Sequence, residues 1–258
     1  MTQQPAQADP SGSHAAALGV ALAAAPDLRA AFDQIPVTGT WDKKAWALKV
    51  AAIIKRHSAA SAALAVRQYR KTRQSAGIAQ PFTPRIQEPT MAQIGSATDW
   101  TLGTLYGDGG TREAAESNLL TASERLILNA GRDTTIANVK RDRQARAWAR
   151  ETSPGCCWFC AMLATRGAVY SSAEAAGKAS PTSGRMPIGL DEQGNEFVNR
   201  FHNNCRCRVV PVFTQFEPQA HVREWQSLWN DSTGHATGME SKQDAWKTAF
   251  ADWQKNQS

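Results

Sequence analysis

Mainly apolar side chains recur at helical spacing in the first third of the chain. Between residues 40 and 75 they appear every three or four positions, with charged residues between them, at Trp46, Val50, Ile53, Ile54 and His57. This period places the apolar side chains on one face of a helix. The pattern therefore predicts one long amphipathic helix over residues 40–75.

The segments on either side of this helix are expected to be less regular. Residues 1–14 are rich in Gln, Ala, Pro and Ser, which predicts a disordered tail. A short alanine-rich helix should follow and break near Pro26. Residues 77–110 contain three prolines and six glycines, so we expect a Gly/Pro-rich linker or an irregular loop there.

Helical periodicity resumes at Thr111. Gly131 predicts a break in this second helical stretch. Asp133 is a typical N-cap residue for another helix, which should extend toward Trp148. Residues 15–140 are thus predicted to form one helical region.

The sequence pattern changes after a turn at residues 153–155. Residues 156–166 are compact and apolar and predict a short helix that ends at Gly167. Residues 196–198 and 206–213 are the best strand candidates. Helical spacing of tryptophans returns in residues 214–258, where such residues are typical of a core. The predicted fold class is α+β and predominantly α-helical: long N-terminal helices, a small α+β module at 141–213 and a C-terminal helical extension at 214–258.

Composition excludes several classes of protein. The chain has 258 residues, of which 42% are hydrophobic and 20% charged, which is typical of a globular protein rather than a disordered or collagen-like one. No apolar run approaches the roughly 18 to 20 residues that span a membrane, so no membrane partner is expected. No basic residue precedes the alanine-rich run at 15–25, so we expect no secretory signal and folding in a reducing cytoplasm.

Positive charge is concentrated in the predicted long helix. The net charge of the chain is +6, yet residues 41–74 contain nine basic residues and one acid and carry +8, leaving −2 for the rest. A second basic cluster lies at residues 140–150. Each cluster is either a solvated helix face or a surface for a polyanion such as double-stranded DNA. The candidate DNA-contacting residues are Lys43, Lys44, Lys49, Lys55, Arg56, Arg67, Arg70, Lys71, Arg73, Arg143, Arg146 and Arg150.

All five cysteines lie in two groups in the predicted module. The first group contains a C-x-x-C formed by Cys157 and Cys160, and the second is an H-x-x-C-x-C formed by His202, Cys205 and Cys207. Zinc prefers thiolate and imidazole ligands, so Cys157, Cys160, His202 and either Cys205 or Cys207 would suit one structural zinc ion. Disulfides between the two groups, or free buried thiols, are the alternatives.

A catalytic interpretation depends on the same histidine. His202 could act as a base in a protease, with Asp191 or Glu196 behind it and Ser171, Ser172 or Cys160 as nucleophile. No G-x-S-x-G elbow marks a serine, and the sequence contains no P-loop, G-x-G-x-x-G or H-E-x-x-H motif. The residues therefore assign no catalytic group beyond this protease alternative.

Three segments together carry a family resemblance. They are PGCCWFCAMLA at 154–164, RGAVY at 166–170 and FHNNCRCRVVPVF at 201–213. They resemble the phage Mu F-like minor head (head morphogenesis) proteins of tailed phages of actinobacteria. The resemblance covers about residues 145–213, and the H-x-N-C-R-C ending is its most distinctive element.

The resemblance implies a structural rather than a catalytic role. It implies a minor capsid protein inside the phage head near the portal, assembled in the host cytoplasm, that assists capsid assembly and DNA packaging or ejection. Its partners would be the portal protein, the major capsid or scaffold protein and DNA. Two other functions remain open: a capsid maturation protease that uses His202, and a zinc-stabilised, non-specific DNA-binding module without a capsid role.

Overall fold

The structure is a computed structural model that describes residues 10–36, 39–168, 201 and 205–256. The predicted class, α+β and predominantly α-helical, is confirmed. The elements in chain order are α1 (Pro10–Leu22), α2 (Ala25–Phe32), α3 (Lys43–Ser75), α4 (Met91–Tyr106), α5 (Arg112–Arg141), β1 (Ala147–Glu151), α6 (Trp158–Thr165), β2 (Arg208–Val212), α7 (Ala220–Thr233) and α8 (Met239–Lys255).

The chain divides into two compact units. The first, which we call the N-terminal unit, comprises Met1–Asn138 and Phe201–Asn204, and the second, the C-terminal unit, comprises Val139–Arg200 and Cys205–Ser258. Helix α5 belongs to the N-terminal unit except for its last turn. Each unit has its own apolar core, and each is described by itself below.

The N-terminal helices begin earlier than the sequence predicts. Helix α1 starts at Pro10, so the prediction of a disordered tail is wrong for residues 10–14, and residues 1–9 lie outside the described residues. Proline is well suited to a first helical turn because its missing N–H has no intrahelical partner there. The predicted break near Pro26 is confirmed, since α1 ends at Leu22 and Pro26 lies in the first turn of α2.

Helix α3 confirms the long amphipathic helix and is 33 residues long. The Asp42 carboxylate caps it, accepting a hydrogen bond of 2.9 Å from the backbone N–H of Ala45. Trp46, Val50 and Ile54 are buried in the core of the N-terminal unit, together with residues of α1, α2, α4 and α5.

The predicted linker at 77–110 is irregular only at its ends. Residues 91–106 form helix α4, so the prediction is wrong there. Thr90 and Gln93 form a capping box, in which each side chain bonds the backbone N–H of the other residue. Gly95 and Gly103 lower helix propensity, but burial of Ile94 and other apolar residues against the core outweighs that cost.

Residues 85–87, which precede α4 and have no regular secondary structure, are held by side chains of α5. Asn138 accepts a hydrogen bond from the Arg85 N–H at 2.8 Å and donates one to the Arg85 carbonyl, also at 2.8 Å. The Thr134 hydroxyl accepts a third bond, from the Gln87 N–H at 2.8 Å. Two polar residues one turn apart on α5 therefore satisfy backbone groups that have no sheet partner.

Helix α5 is continuous, so the predicted break at Gly131 and the N-cap at Asp133 are wrong. Gly131 lies where α5 approaches α3. A Cβ atom there would be 3.0 Å from the Ser61 Oγ and 3.3 Å from the Ser61 carbonyl oxygen. The glycine therefore permits a close helix contact instead of ending the helix.

The small sheet of the C-terminal unit contains one strand that the sequence pattern did not predict. Strand β2 confirms the strand predicted at 206–213, whereas the candidate at 196–198 lies outside the described residues. Strand β1 pairs with β2 in antiparallel fashion, with Trp148 opposite Pro211. The prediction that a helix extends to Trp148 is wrong. Four successive residues of β1 are buried, so the strand lacks the polar–apolar alternation that identifies a half-buried strand.

The predicted C-terminal helices are α7 and α8, and both pack on α6. Trp225 and Trp246 are fully buried, and Phe250 lies 5.3 Å from the Trp225 ring and 5.2 Å from the Trp246 ring. The indole N–H of Trp246 donates a 2.8 Å hydrogen bond to the Trp158 carbonyl at the start of α6. This aromatic core fixes the helix that carries the first cysteine group.

One window of the described residues is long and apolar enough to meet a membrane-span criterion. It is Ala15–Phe32, with a mean hydropathy of 1.4. The sequence expectation that no such stretch exists therefore needs correction. This window covers two helices, α1 and α2, and buried residues such as Leu28 and Phe32 belong to the core of the N-terminal unit.

Candidate functional site

Two chain segments bring cysteines to one place in the C-terminal unit. Cys157 is the N-cap residue of α6, and its sulfur accepts a 3.5 Å hydrogen bond from the Cys160 N–H one turn later. Cys205 and Cys207 lie just before β2, whose pairing with β1 fixes the path of that segment. The predicted end of α6 is confirmed, because Gly167 follows it with a φ of 65°.

Three cysteines form a buried cluster of sulfur atoms. The Sγ atoms of Cys160, Cys205 and Cys207 all lie within 4.8 Å of one another, and those of Cys160 and Cys205 are 3.5 Å apart. The three residues are 1%, 3% and 4% exposed. We call these three residues the cysteine cluster. Its soft sulfur ligands and close spacing fit a metal ion such as zinc.

Thiols in this environment resist ionisation while no cation is bound. The pKa of Cys160 is raised, first by its hydrogen bond with Cys157 and then by those with Cys205 and Cys207 and by burial. For Cys207 the hydrogen bond with Cys160 lowers the pKa, but the bond with Cys205 and burial raise it, to about 12. Metal binding would therefore have to displace protons from the cluster.

The predicted zinc ligands do not all belong to the cysteine cluster. The sequence left the choice between Cys205 and Cys207 open, and both belong to the cluster. Cys157 is exposed and next to it, and Cys156 is partly exposed, with its pKa raised mainly by burial. His202 lies outside the described residues, so its role as a ligand stays a prediction.

The protease alternative stays a prediction for the same reason. Its proposed base and most of its partners are outside the described residues, namely His202, Asp191, Glu196, Ser171 and Ser172. Cys160, the remaining candidate nucleophile, is described, and its side chain is buried in the cysteine cluster.

Arg150 has a role in the structure that the sequence did not indicate. It lies in β1, is only 5% exposed, and its Nη1 donates toward the Cys160 Sγ at 4.0 Å. This burial counts against the predicted contact with DNA. The contact between Arg150 and Cys160 depends on the strand pairing, so predicting it from the sequence would have required the prediction of β1.

The basic residues of α3 lie mostly on its solvent side. Arg73 is the exception: it is buried, lies over the Phe82 ring at 5.7 Å and donates a hydrogen bond to the Ile78 carbonyl, which counts against its predicted DNA contact. Arg143 and Arg146, of the second cluster, are exposed in the C-terminal unit. The exposed basic residues of α3 are Lys43, Lys44, Lys49, Lys55, Arg56, Arg67, Arg70 and Lys71.

Five of these side chains share one stripe, which we call the basic face. At 3.6 residues per turn, they fall within a sector of about 100° and span about 33 Å of helix. Lys49 bonds the Gln34 side chain at 2.8 Å and Arg56 forms an ion pair with Asp27. Among the described residues no acid pairs with the other three members. The basic face consists of Lys49, Arg56, Arg67, Arg70 and Lys71.

Comparison with known proteins identifies the family. Residues 4–232 match the family model described as VG15 protein, and the chain belongs to that family. It is similar to the Gene 15 protein of Mycobacterium phage D29, with 33% identity over 142 residues covering 49% of this chain and 52% of the relative. It is also similar to the Gene 15 protein of Mycobacterium phage L5, with 31% identity over 156 residues covering 49% of this chain and 51% of the relative.

These comparisons establish a bacteriophage protein family. The chain spans about half the length of the curated relatives it matches. No solved structure matches it. The narrower assignment to the Mu F-like proteins stays a prediction from the sequence segments.

Proposed function

We propose that this member of the VG15 family is a phage minor head protein that binds double-stranded DNA without sequence preference. The observation that carries the proposal is the basic face of α3, which collects exposed cations on one side of a rigid helix. The phage relatives support a role in the virus particle. The Mu F-like resemblance supports a position inside the head near the portal, with portal and capsid or scaffold proteins as partners.

The dimensions of the basic face suit a DNA backbone. Its length of about 33 Å is close to one helical turn of B-DNA, so cations near its two ends can meet phosphates about one turn apart. Each phosphate that is neutralised releases a counterion, which makes the affinity steeply dependent on salt. Arg67, Arg70 and Lys71 should contribute most, because Arg56 already pairs with Asp27.

DNA binding is tested on the full chain with a triple variant, Arg67→Gln, Arg70→Gln and Lys71→Gln. The affinity for two duplexes of unrelated sequence is measured by fluorescence anisotropy between about 50 and 200 mM salt. We expect similar affinities for both duplexes. The slope of log affinity against log salt should fall by up to about 2.7 in the variant, at roughly 0.9 for each phosphate that is no longer neutralised.

A second triple variant controls for the change in net charge. Lys242→Gln, Lys247→Gln and Lys255→Gln remove the same three charges from α8 and should leave the slope near that of the wild type. Equal slopes in all three proteins would mean that the basic face only keeps the helix soluble.

The location in the head is tested on purified particles of a phage that carries this gene. Mass spectrometry should detect the protein in far fewer copies than the major capsid protein, and the portal protein should co-purify with it from procapsids. Its absence from both procapsids and mature heads would refute the proposed role.

We also propose that the cysteine cluster holds one structural zinc ion. Cys160, Cys205 and Cys207 would supply three thiolates, and Cys157 or His202 the fourth ligand. With all four positions taken by protein, the ion has no open position for water, so it would stabilise the unit instead of catalysing a reaction. Cys160 lies on α6 and the other two cysteines lie just before β2, so binding would connect two segments that are distant in sequence.

Metal content and thiol titration distinguish the three states of the cysteines. Protein prepared without reductant should contain one zinc per chain, and a chelator should lower the melting temperature of the C-terminal unit. Cys160→Ser should abolish both properties, whereas Cys156→Ser, outside the cluster, should keep them. Fewer than five titrating thiols without metal would show a disulfide, and five titrating thiols without metal would show that no cross-link exists.

A further inference from the structure

Four exposed basic residues lie at the end of α5 and in the turn that leads to β1. They belong to the C-terminal unit, which begins at Val139. The only acid among them, Asp142, is 4% exposed, and its carboxylate accepts a 3.1 Å hydrogen bond from the Gln144 N–H. The segment therefore presents its cations to solvent while its acid is buried. We call the four residues, Lys140, Arg141, Arg143 and Arg146, the basic turn.

Backbone hydrogen bonds hold the basic turn in place. The Ala145 N–H donates to the Asp142 carbonyl at 3.0 Å and closes the turn. The Arg146 N–H donates to the Val212 carbonyl at 2.8 Å, which attaches the turn to the end of β2. A backbone that is already ordered adds little ordering cost when its side chains bind a partner.

The structure separates the basic turn from the rest of the basic cluster predicted at 140–150. Arg150 is buried in β1, and its Nη1 donates toward the Cys160 Sγ. Lys140, Arg143 and Arg146, in contrast, are exposed, and no acid of the described residues forms an ion pair with them. Their charges are therefore accessible to an anionic partner in solution.

We propose that the basic turn is a second contact for the phosphate backbone of DNA, and that the chain joins two DNA segments, one on each unit. The inference rests on the DNA binding proposed for the basic face and adds a surface outside it. The basic face lies on α3 in the N-terminal unit, whereas the basic turn belongs to the C-terminal unit. Each unit has its own apolar core, so each surface has its own scaffold.

The chemistry of the basic turn suits the DNA backbone rather than the base edges. Phosphate contacts by lysine and arginine position a protein on DNA without reading the sequence. Four cations between residues 140 and 146 reach only a few neighbouring phosphates, so the turn by itself should bind weakly. Such a weak contact becomes effective where DNA is crowded, because binding through the basic face raises the local concentration of neighbouring segments.

The test is a bridging assay with the full chain. One duplex is fixed to beads, and a fluorescent duplex of unrelated sequence is added together with the protein at about 50 mM salt. The wild type should retain the fluorescent duplex on the beads. Retention should be lost when the salt is raised to about 200 mM, because both contacts depend on the release of counterions.

The triple variant Lys140→Gln, Arg143→Gln and Arg146→Gln removes three charges from the basic turn. It should lose retention of the fluorescent duplex. Its affinity for a single dilute duplex, measured by fluorescence anisotropy, should stay close to that of the wild type, because the basic face supplies that affinity.

The triple variant of α8 described above is the matched control, since it removes three charges from the same unit. It should retain the fluorescent duplex as the wild type does. Circular dichroism of each variant checks folding. If the triple variant of the basic turn does not fold, Arg143→Gln replaces it and should lower the salt concentration at which half of the retention is lost.

The possible failures are distinguishable. A wild type that binds no DNA would overturn the proposed function and this inference with it. A wild type that binds DNA through the basic face but retains no fluorescent duplex would overturn only the bridging role, as would a basic-turn variant that retains as much as the wild type. A variant that loses retention together with affinity for the single duplex would show that both surfaces bind one duplex, which also overturns bridging.

Discussion

The contact between Gly131 on α5 and Ser61 on α3 makes a sharp prediction about stability. Replacing Gly131 with alanine adds one methyl group at a close contact between two long helices. That methyl carbon would lie 3.0 Å from the Ser61 Oγ and 3.3 Å from its carbonyl oxygen. Both distances are shorter than normal van der Waals contacts, so the serine side chain or its backbone has to shift by a few tenths of an ångström.

Two opposing effects determine the size of the change. Alanine is more favourable than glycine inside a helix by about 1 kcal/mol, whereas overpacking a well-packed core costs about 1–3 kcal/mol. The serine hydroxyl causes the shorter contact and has no hydrogen-bond partner among the described residues. We therefore expect Gly131→Ala to destabilise the N-terminal unit by about 0–2 kcal/mol. In a Ser61→Ala background, the change in the free energy of unfolding caused by Gly131→Ala should be about 1 kcal/mol more favourable.

Urea denaturation followed by far-UV circular dichroism measures the four proteins of this double-mutant cycle. The two units are fitted as separate transitions. Gly103→Ala on α4 is the matched control, because its added Cβ would meet nothing within 4 Å. It should stabilise the unit by about 1 kcal/mol. If Gly131→Ala stabilises as much as this control and shows no coupling to Ser61→Ala, the helices do not meet as described.

Three further predictions concern ionisable groups of the C-terminal unit. Burial lowers the pKa of His221, although its bond to the Thr152 carbonyl opposes the shift. The contribution of His221 to stability should be complete above the unfolded pKa of about 6.5 and lost as the pH falls below it. His221→Gln should therefore flatten the fall in melting temperature between about pH 7 and pH 5. Glu151 and Arg208 are 15% to 17% exposed in their ion pair, so Glu151→Gln should cost about 1–3 kcal/mol in thermal unfolding. Asp252→Asn, in a pair exposed by more than 60% on both sides, should change stability by less than about 1 kcal/mol.

The elements that the sequence predicted correctly are those in which local signals and burial agree. In α3, a capping aspartate and regular apolar spacing indicate the same helix, and the structure buries that spacing against the core. The same agreement holds for α7 and α8, whose spaced tryptophans pack on α6. In each case residues that are close in sequence are sufficient to predict the helix.

The incorrect predictions involve residues whose role depends on a distant segment. From its sequence context Gly131 predicts a helix break, but the structure shows that the glycine makes room for Ser61 of α3. Strand β1 is buried along four successive residues, and its partner strand begins 57 residues after β1 ends. No local period could identify either feature. Arg150 was assigned to a basic cluster for the same reason, since only the sheet directs it toward the cysteines.

The cysteine cluster lies next to the two-stranded sheet of the C-terminal unit, which a connection between distant segments would stabilise. A two-stranded sheet is marginally stable by itself in water, and β1 and β2 are far apart in sequence. A link between Cys160 on α6 and Cys205 at the approach to β2 closes a separation of 45 residues next to that sheet. The basic face lies on the other unit and uses none of these residues. Removal of the proposed link should therefore unfold the C-terminal sheet while the salt dependence of the proposed DNA binding by α3 is retained.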